Sequence, residues 1–284
     1  MEETVIKQHF GLYEKGLPRD LDLKDKLRLA KELGFDYFEL STDESDAFKA
    51  RVTMSPAERQ AVKAAMQEYE MPIWTMCLSG TRNCPIGSED PAQREAGMEL
   101  TRNAIRFAAD MGIRIVQVMA YDEFYGERNE KTHAFFIENL AECAREAASC
   151  GVMLALENVD IETMDTLEKG LDIVREIHSP WLQIYPDIAN LYATGKGNEW
   201  AREQYRIARD HIVASHVKDT VVGTVRDIAF GAGEVDFVPF FKLLHEIDFH
   251  GPLTLEFWDQ NDGRALETAK EAIAFVKDKY ERSL

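Results

Sequence analysis

Val152-Met-Leu-Ala-Leu-Glu157 is a short apolar run closed by a single carboxylate. Three later runs close in a related way. Trp181-Leu-Gln-Ile-Tyr-Pro186 leads into Asp187, His211-Ile-Val-Ala-Ser-His216 ends on an imidazole, and Pro252-Leu-Thr-Leu-Glu256 ends on a second glutamate. The four closing residues are 30, 29 and 40 positions apart. Such runs are strand-like, and a spacing of roughly 30 residues is one strand-plus-helix unit. Four consecutive parallel strands then present three carboxylates and one imidazole at the same edge of one sheet. Hard oxygen donors with one nitrogen suit a divalent cation. A single acid at a strand end is commonly a helix cap or an ion-pair partner. Four adjacent strands ending in complementary ligand types point to a metal site instead.

The same alternation extends outward to both ends of the chain. In the first half, strands are expected at Gln8–Tyr13, Phe35–Leu40, Pro72–Leu78 and Ile113–Met119. Helices are expected from about Asp22 to Leu33, Pro56 to Tyr69, Ser88 to Met111 and Asn129 to Ser149. Ser55-Pro-Ala-Glu58 is a helix start signal, with Ser at the cap, Pro at the first position and Glu at the third. In the second half, helices follow the four runs at about Asp165–Ile177, Glu199–Arg209, Phe237–Glu246 and Gly263–Tyr280. Gly34, Gly112 and Gly151 each fall between a helix and the next strand, where a left-handed cap is expected. Eight strand–helix units, with strands apolar on both faces, give an α/β fold of the (β/α)8 TIM-barrel type spanning residues 1–284 as one domain. A doubly wound open sheet is the runner-up, but no break in strand order is marked. The active site of such a barrel lies at the C-terminal ends of its strands, where Glu157, Asp187, His216 and Glu256 all fall.

Composition sets the outer bounds. The chain has 284 residues, of which 45% are hydrophobic and 30% charged, an ordinary balance for a globular protein with a large core. Its formal net charge is −18, which argues against a nucleic-acid or anionic-membrane footprint. Cys77, Cys84, Cys143 and Cys150 form no paired motif and are expected to be free thiols in a reducing cytoplasm. No apolar run is long enough to span a bilayer, and the acidic start Met1-Glu-Glu-Thr4 lacks a signal-peptide core.

Two carboxylates flanking a cation suggest proton transfer at a carbon next to a carbonyl. The cation would bind the carbonyl and a neighbouring hydroxyl and stabilise the enediolate. Glu157 and Glu256, from the fifth and eighth strands, would approach the substrate from opposite sides, with Asp187 and His216 between them. If one removes a proton from one face and the other delivers a proton to the opposite face, the result is epimerisation. One glutamate moving a proton between neighbouring carbons would give isomerisation.

Several segments resemble the L-ribulose-5-phosphate 3-epimerase family, one of the xylose-isomerase-like barrels. They are Gly11-Leu-Tyr-Glu-Lys-Gly-Leu-Pro18, Cys77-Leu-Ser79, Pro85-Ile-Gly-Ser-Glu-Asp90, Tyr185-Pro-Asp-Ile-Ala-Asn-Leu191, His216-Val-Lys-Asp-Thr220 and Phe230-Gly-Ala-Gly-Glu-Val-Asp-Phe237. His-Val-Lys-Asp and Gly-x-Gly-x-x-Asp-Phe occur across the wider superfamily. Gly11–Pro18 and Pro85–Asp90 are narrower. The resemblance implies interconversion of L-xylulose 5-phosphate and L-ribulose 5-phosphate at C3, in pentose phosphate metabolism and L-ascorbate degradation. It implies that Glu157, Asp187, His216 and Glu256 bind one divalent ion, and that Glu157 and Glu256 are the acid/base pair. Mn²⁺, Zn²⁺, Co²⁺ and Mg²⁺ all suit the donor set. The partner is then a small phosphorylated ketopentose, and a homodimer is the candidate assembly.

A phosphate needs cations or helix N-termini at the rim. Lys15 and Arg82 are the preferred pair, with Lys218 and Arg226 as further candidates. Lys218 has a second reading, as a partner of Asp219 or Glu256 that orients the metal ligands. Asn158, next to Glu157, is read as a hydrogen-bonding neighbour or a substrate contact. Tyr13 and Trp258 are expected to line the sugar pocket, and Trp74, Tyr121 and Tyr125 are weaker aromatic candidates. His178, His245 and His250 fall near helix ends, where capping is the expected role. Thr81 stands after Ser79-Gly80 where the family tends to have His. Free-ketose 3-epimerases tend to carry His shortly after the metal-binding Asp; here Ile188, Ala189 and Asn190 follow Asp187. The alternatives are a free-ketose 3-epimerase or sugar isomerase on the same barrel, and a non-enzymatic sugar-binding barrel that keeps its metal. A third is an apurinic-type endonuclease, opposed by seven histidines and the negative charge.

Overall fold

Residues 7–159 and 161–284 are described in a computed structural model. The acidic start Met1–Thr4 lies outside the described residues. Eight parallel strands form one sheet: β1 Phe10–Tyr13, β2 Tyr37–Thr42, β3 Ile73–Leu78, β4 Ile115–Met119, β5 Met153–Glu157, β6 Leu182–Ile184, β7 Ser215–Val217 and β8 Leu253–Leu255. Their order is β6-β5-β4-β3-β2-β1-β8-β7. The ring closes between β6 and β7 through two isolated parallel bridges, Ile184 to Ile212 and Asp187 to His216. This is the curled parallel sheet of a TIM barrel, not an open doubly wound sheet.

The expected helices form with small shifts at their ends. They are α1 Leu23–Glu32, α3 Pro56–Glu68, α4 Pro91–Met111, α5 Glu130–Cys150, α6 Leu167–Ile177, α8 Asn198–Ala208, α9 Phe237–Glu246 and α10 Ala265–Glu281. Two short helices, α2 Asp46–Lys49 and α7 Ile188–Leu191, complete the set among the described residues. Local signals explain the starts. Ser55 accepts from Glu58 N while Glu58 Oε2 accepts from Ser55 N at 2.7 Å, a capping box in front of Pro56. The stops at Gly34, Gly112 and Gly151 have φ of 89°, 76° and 68°, the left-handed region that a glycine enters without a Cβ penalty.

The barrel interior is polar where a simple barrel would be packed with aliphatics. Glu39, Thr75, Tyr185, His216 and Thr254 are each fully buried there and joined by hydrogen bonds. Gly11 makes room beneath them, because a Cβ at that position would stand 2.2 Å from the Tyr37 ring. Tyr37 thereby reaches across the barrel to Thr254, with OH and Oγ1 2.7 Å apart. Strand seven is shorter than its apolar run suggests. Ile212 contributes only a bridge, and regular pairing begins at Ser215.

Candidate active site

Each quartet residue reaches the same place by a different local device. Glu157 is the last residue of β5, His216 lies within β7, and Glu256 follows β8 directly. Asp187 caps α7, with its Oδ1 accepting from Ala189 N at 2.7 Å and Asn190 N at 3.3 Å. That cap occupies one carboxylate oxygen and leaves Oδ2 for the barrel mouth. One donor atom from each of Glu157, Asp187, His216 and Glu256 lies within 4.8 Å of all the others, and all four residues are buried.

Charge balance within the cluster is uneven. His216 Nδ1 is 2.9 Å from Glu157 Oε1 and 3.7 Å from Glu256 Oε2. Lys218 Nζ is 2.7 Å from Asp187 Oδ2 and 2.8 Å from Glu256 Oε2, and it donates to Asn190 Oδ1 at 2.9 Å. The Lys218–Asp187 contact is an ion pair by distance but poorly aligned, so Asp187 Oδ2 is buried with no aligned hydrogen-bond donor. An acceptor left open among four acidic and imidazole donors fits a divalent cation held by Glu157, Asp187, His216 and Glu256.

The two glutamates differ in proton affinity. Burial pushes the Glu157 carboxyl up to about 7, against the opposing pull of His216. Burial acts on Glu256 in the same direction, but Lys218, His216 and Arg226 outweigh it and hold that carboxyl down at about 2. Desolvation disfavours the His216 cation, yet Glu256, Glu39 and Glu157 raise its pKa well above the usual imidazole range. Two neighbouring carboxyls driven apart in this way are equipped for opposite proton-transfer roles.

A narrow cleft opens over the cluster. Tyr13, Lys15, Cys77, Arg82, Arg226 and Trp258 lie on its wall with the two glutamates. The Tyr13 and Trp258 rings meet edge to face at 6.1 Å. Arg82 sits on the turn Ser79–Asn83 after β3 and has no carboxylate partner among the described residues. Its guanidinium lies 5.2 Å from the centre of the Phe124 ring. Arg226 likewise lies over Trp258, at 5.4 Å.

The model of the xylose isomerase-like TIM barrel family matches residues 27–279. The L-ribulose-5-phosphate 3-epimerase UlaE of Salmonella paratyphi A is 40% identical over 261 residues, 92% of this chain and 91% of that protein. The UlaE of Salmonella enteritidis PT4 matches to the same extent. The chain belongs to the L-ribulose-5-phosphate 3-epimerase family of xylose isomerase-like TIM barrels. Solved structures extend the likeness of fold. An L-ribulose 3-epimerase superposes with a TM-score of 0.77 at 18% identity, covering 98% of this chain and 96% of that one. A D-allulose 3-epimerase from Methylomonas sp., in complex with D-allulose, gives 0.77 at 21%, covering 96% and 97%.

Within this epimerase fold, most of the residues singled out from sequence converge. Glu157, Glu256, Lys15, Arg82, Lys218, Arg226, Tyr13 and Trp258 line one cleft, and Asp187 and His216 lie buried beside the two glutamates. Lys15 is less free than expected, since its Nζ is 3.6 Å from Asp43, which Arg19 also engages at 2.8 Å. Lys218 pairs with Glu256 and Asp187 and not with Asp219, whose carboxylate accepts from the backbone of Gly231 and Gly233. Asn158 does not line the cleft. It is fully buried, and both ends of its amide are taken by the backbone of Asp187, at 2.7 and 3.0 Å, so it braces the β6 end. Trp74 lies at the opposite mouth, stacked on Tyr37 at 4.9 Å, because it is the second residue of β3. Tyr125 is largely exposed and hydrogen-bonds Glu44. His178 ends α6 in the left-handed conformation, as a capping residue does. The four cysteines are free thiols, and among the described residues no helix is long and apolar enough to cross a membrane.

Sequence reasoning missed Glu39 and Asn190. Glu39 Oε1 lies 2.7 Å from His216 Nε2. Its signal was an acid inside Tyr37-Phe-Glu-Leu40, a run otherwise fit for burial on both faces. Asn190 lines the cleft one turn after Asp187 and holds Lys218.

Proposed function

We propose that this chain is a metal-dependent 3-epimerase that interconverts L-xylulose 5-phosphate and L-ribulose 5-phosphate. The observation that carries the reading is a pair of buried glutamates, Glu157 and Glu256, with proton affinities driven apart beside one cation-fit cluster. Glu157, Asp187, His216 and Glu256 are the residues that would hold the ion, and the donor set suits Mn²⁺, Co²⁺, Zn²⁺ or Mg²⁺. When bound, a divalent cation supplies Lewis-acid stabilisation of the negative charge that builds on the ketose oxygens.

The proton chemistry falls to the chain's own carboxylates. Glu256, held ionised by Lys218, is suited to take the proton from C3. The C3–H electron pair then moves into a C2–C3 enediolate. Glu157, whose burial favours the protonated form, is suited to return a proton to the other face of C3 and invert it. The reverse reaction exchanges the two roles. Tyr13 and Trp258 wall the cleft and keep water from the exposed carbanion. Arg82 and Arg226 offer guanidinium groups that no carboxylate among the described residues occupies, which suits a sugar phosphate better than a free sugar.

The test compares L-ribulose 5-phosphate with L-ribulose as substrates in deuterium oxide. Deuterium at C3 of the product, absent from C1, with strong preference for the phosphate, supports the reading. Equal turnover of the free sugar, or label at C1, overturns it. Glu157→Gln and Glu256→Gln should each lower kcat by about 10²- to 10⁴-fold, the usual contribution of a general acid or base.

A further inference from the structure

We propose that Glu39 is a positioning residue that fixes the tautomer and ring orientation of His216, so that Nδ1 is the atom offered to the metal. The inference rests on the metal reading of the site above. His216 presents its two ring nitrogens to different surroundings. Nδ1 faces the open cluster, 2.9 Å from Glu157 and 3.7 Å from Glu256. Nε2 faces inward, 2.7 Å from Glu39 Oε1. A carboxylate accepts and cannot donate, so the Nε2 proton is held and the Nδ1 lone pair is left for a cation.

The carboxylate is itself fixed by a chain of hydroxyls. Thr75 Oγ1 donates to Glu39 Oε2 at 2.6 Å, and Tyr185 OH donates to the same oxygen at 2.7 Å. Tyr185 OH is 2.7 Å from Thr254 Oγ1, which is 2.7 Å from Tyr37 OH. With Glu39 as terminal acceptor, one directed arrangement satisfies the row: Tyr37 donates to Thr254, Thr254 to Tyr185, and Tyr185 to Glu39. All these residues are fully buried, and they come from four strands, β2, β3 and β8 with the end of β6. The Tyr185 ring packs edge-on to the imidazole, with centroids 4.8 Å apart. Without this row, a carboxylate in the barrel centre would be an expensive burial for which the packing offers no reason.

Glu39→Gln and Glu39→Leu separate positioning from packing. Metal-free protein is titrated with Zn²⁺ alone, in competition with a chromophoric chelator. Nitrogen-15 spectra of labelled histidine report the His216 tautomer in the loaded protein. The wild type should show the Nε2–H form. Glu39→Leu should bind Zn²⁺ about 10- to 100-fold more weakly, the usual loss for a partner of a metal-binding histidine, and show mixed tautomers. Glu39→Gln keeps the volume and an acceptor oxygen, so it should fold and lose less. If Glu39→Leu does not fold, a Glu39→Gln loss of threefold or more supports the proposal. Affinity within threefold of wild type with the tautomer unchanged overturns it, and so does a lower metal-free Tm with unaltered affinity. Failure of the wild type to take up Zn²⁺ would overturn the metal reading and this proposal together; uptake with unaffected variants overturns this proposal alone.

Discussion

Lys218 occupies the place of a counter-cation, and replacing it with methionine should expose what the cluster lacks. Lys218 is 4% exposed, and its ammonium lies 2.7 Å from Asp187 and 2.8 Å from Glu256. Lys218→Met keeps most of the apolar stem but leaves two buried carboxylates without their shared partner. Breaking a buried ion pair from one side costs about 3–5 kcal/mol. In a domain of this size each kcal/mol moves Tm by roughly 2–4 °C, so the metal-free variant should melt about 6–20 °C below wild type. A divalent cation restores the missing positive charge, so the deficit should shrink by at least about half in saturating Mn²⁺. Lys218 also competes with the ion for the same oxygens, so the variant should bind Mn²⁺ about tenfold more tightly, or about 1.4 kcal/mol. Thermal unfolding in EDTA and in Mn²⁺, with calorimetric titration, measures all three. An equal Tm deficit with and without Mn²⁺, or weaker Mn²⁺ binding, would refute the argument that Lys218 stands in for part of the ion's charge.

Three further outcomes follow from the same geometry. Glu157 is raised from 4.5 to about 7 by burial, so its contribution to stability is fully present below about pH 4.5 and lost as pH rises through 7. That is about 3 kcal/mol, and Tm in EDTA should fall between pH 5 and 8; a Tm unchanged over that range would refute it. Arg82→Met should lower kcat/KM for L-ribulose 5-phosphate by roughly 10- to 100-fold, the worth of a charge-assisted hydrogen bond, and change free L-ribulose by less than about threefold; equal losses on both would remove Arg82 from phosphate binding. Gly97→Ala sets a Cβ 2.1 Å from the Cys84 carbonyl oxygen, so α4 must move off the turn that carries Arg82. A loss of about 1–3 kcal/mol in chemical denaturation is expected, and an unchanged midpoint would show that this contact relaxes freely.

The barrel and its quartet were legible because both depend on local pattern. Each apolar run is long enough to be a strand, and each quartet residue closes one, so chain order alone brings them to one rim. Glu39 was hidden because its meaning depends on which face of β2 turns inward, and Tyr37-Phe-Glu-Leu40 is buried at every position. The choice between the two roles of Asn158, hydrogen-bonding neighbour and substrate contact, was open for a related reason. Its neighbour in sequence is Glu157, but its hydrogen bonds go across to the Asp187 backbone, a tertiary relation with no sequence trace. Trp74 already falls near the start of the expected strand Pro72–Leu78, and its aromatic character drew it in as a pocket candidate although strand direction puts it at the opposite mouth. The helices α2 and α7 are four residues each, too short to display a helical period.

The charges around the site explain why the cation and the phosphate need different provisions. Glu39, Glu157, Asp187 and Glu256 are four acids, while Lys218 is the ammonium within reach of two of them and His216, as a metal ligand, is neutral. With all four ionised the cluster is left well short of positive charge, which favours a divalent ion. The overall charge of −18 raises the local concentration of cations but opposes a phosphate dianion approaching the same rim. Attraction of the sugar phosphate must therefore come from close range, from groups whose charge is not already spent. Lys218 is committed to Asp187 and Glu256, and Lys15 is shared with Asp43. Arg82 and Arg226 are held over aromatic rings, which orient a guanidinium without neutralising it, and this leaves their charge available to an incoming anion.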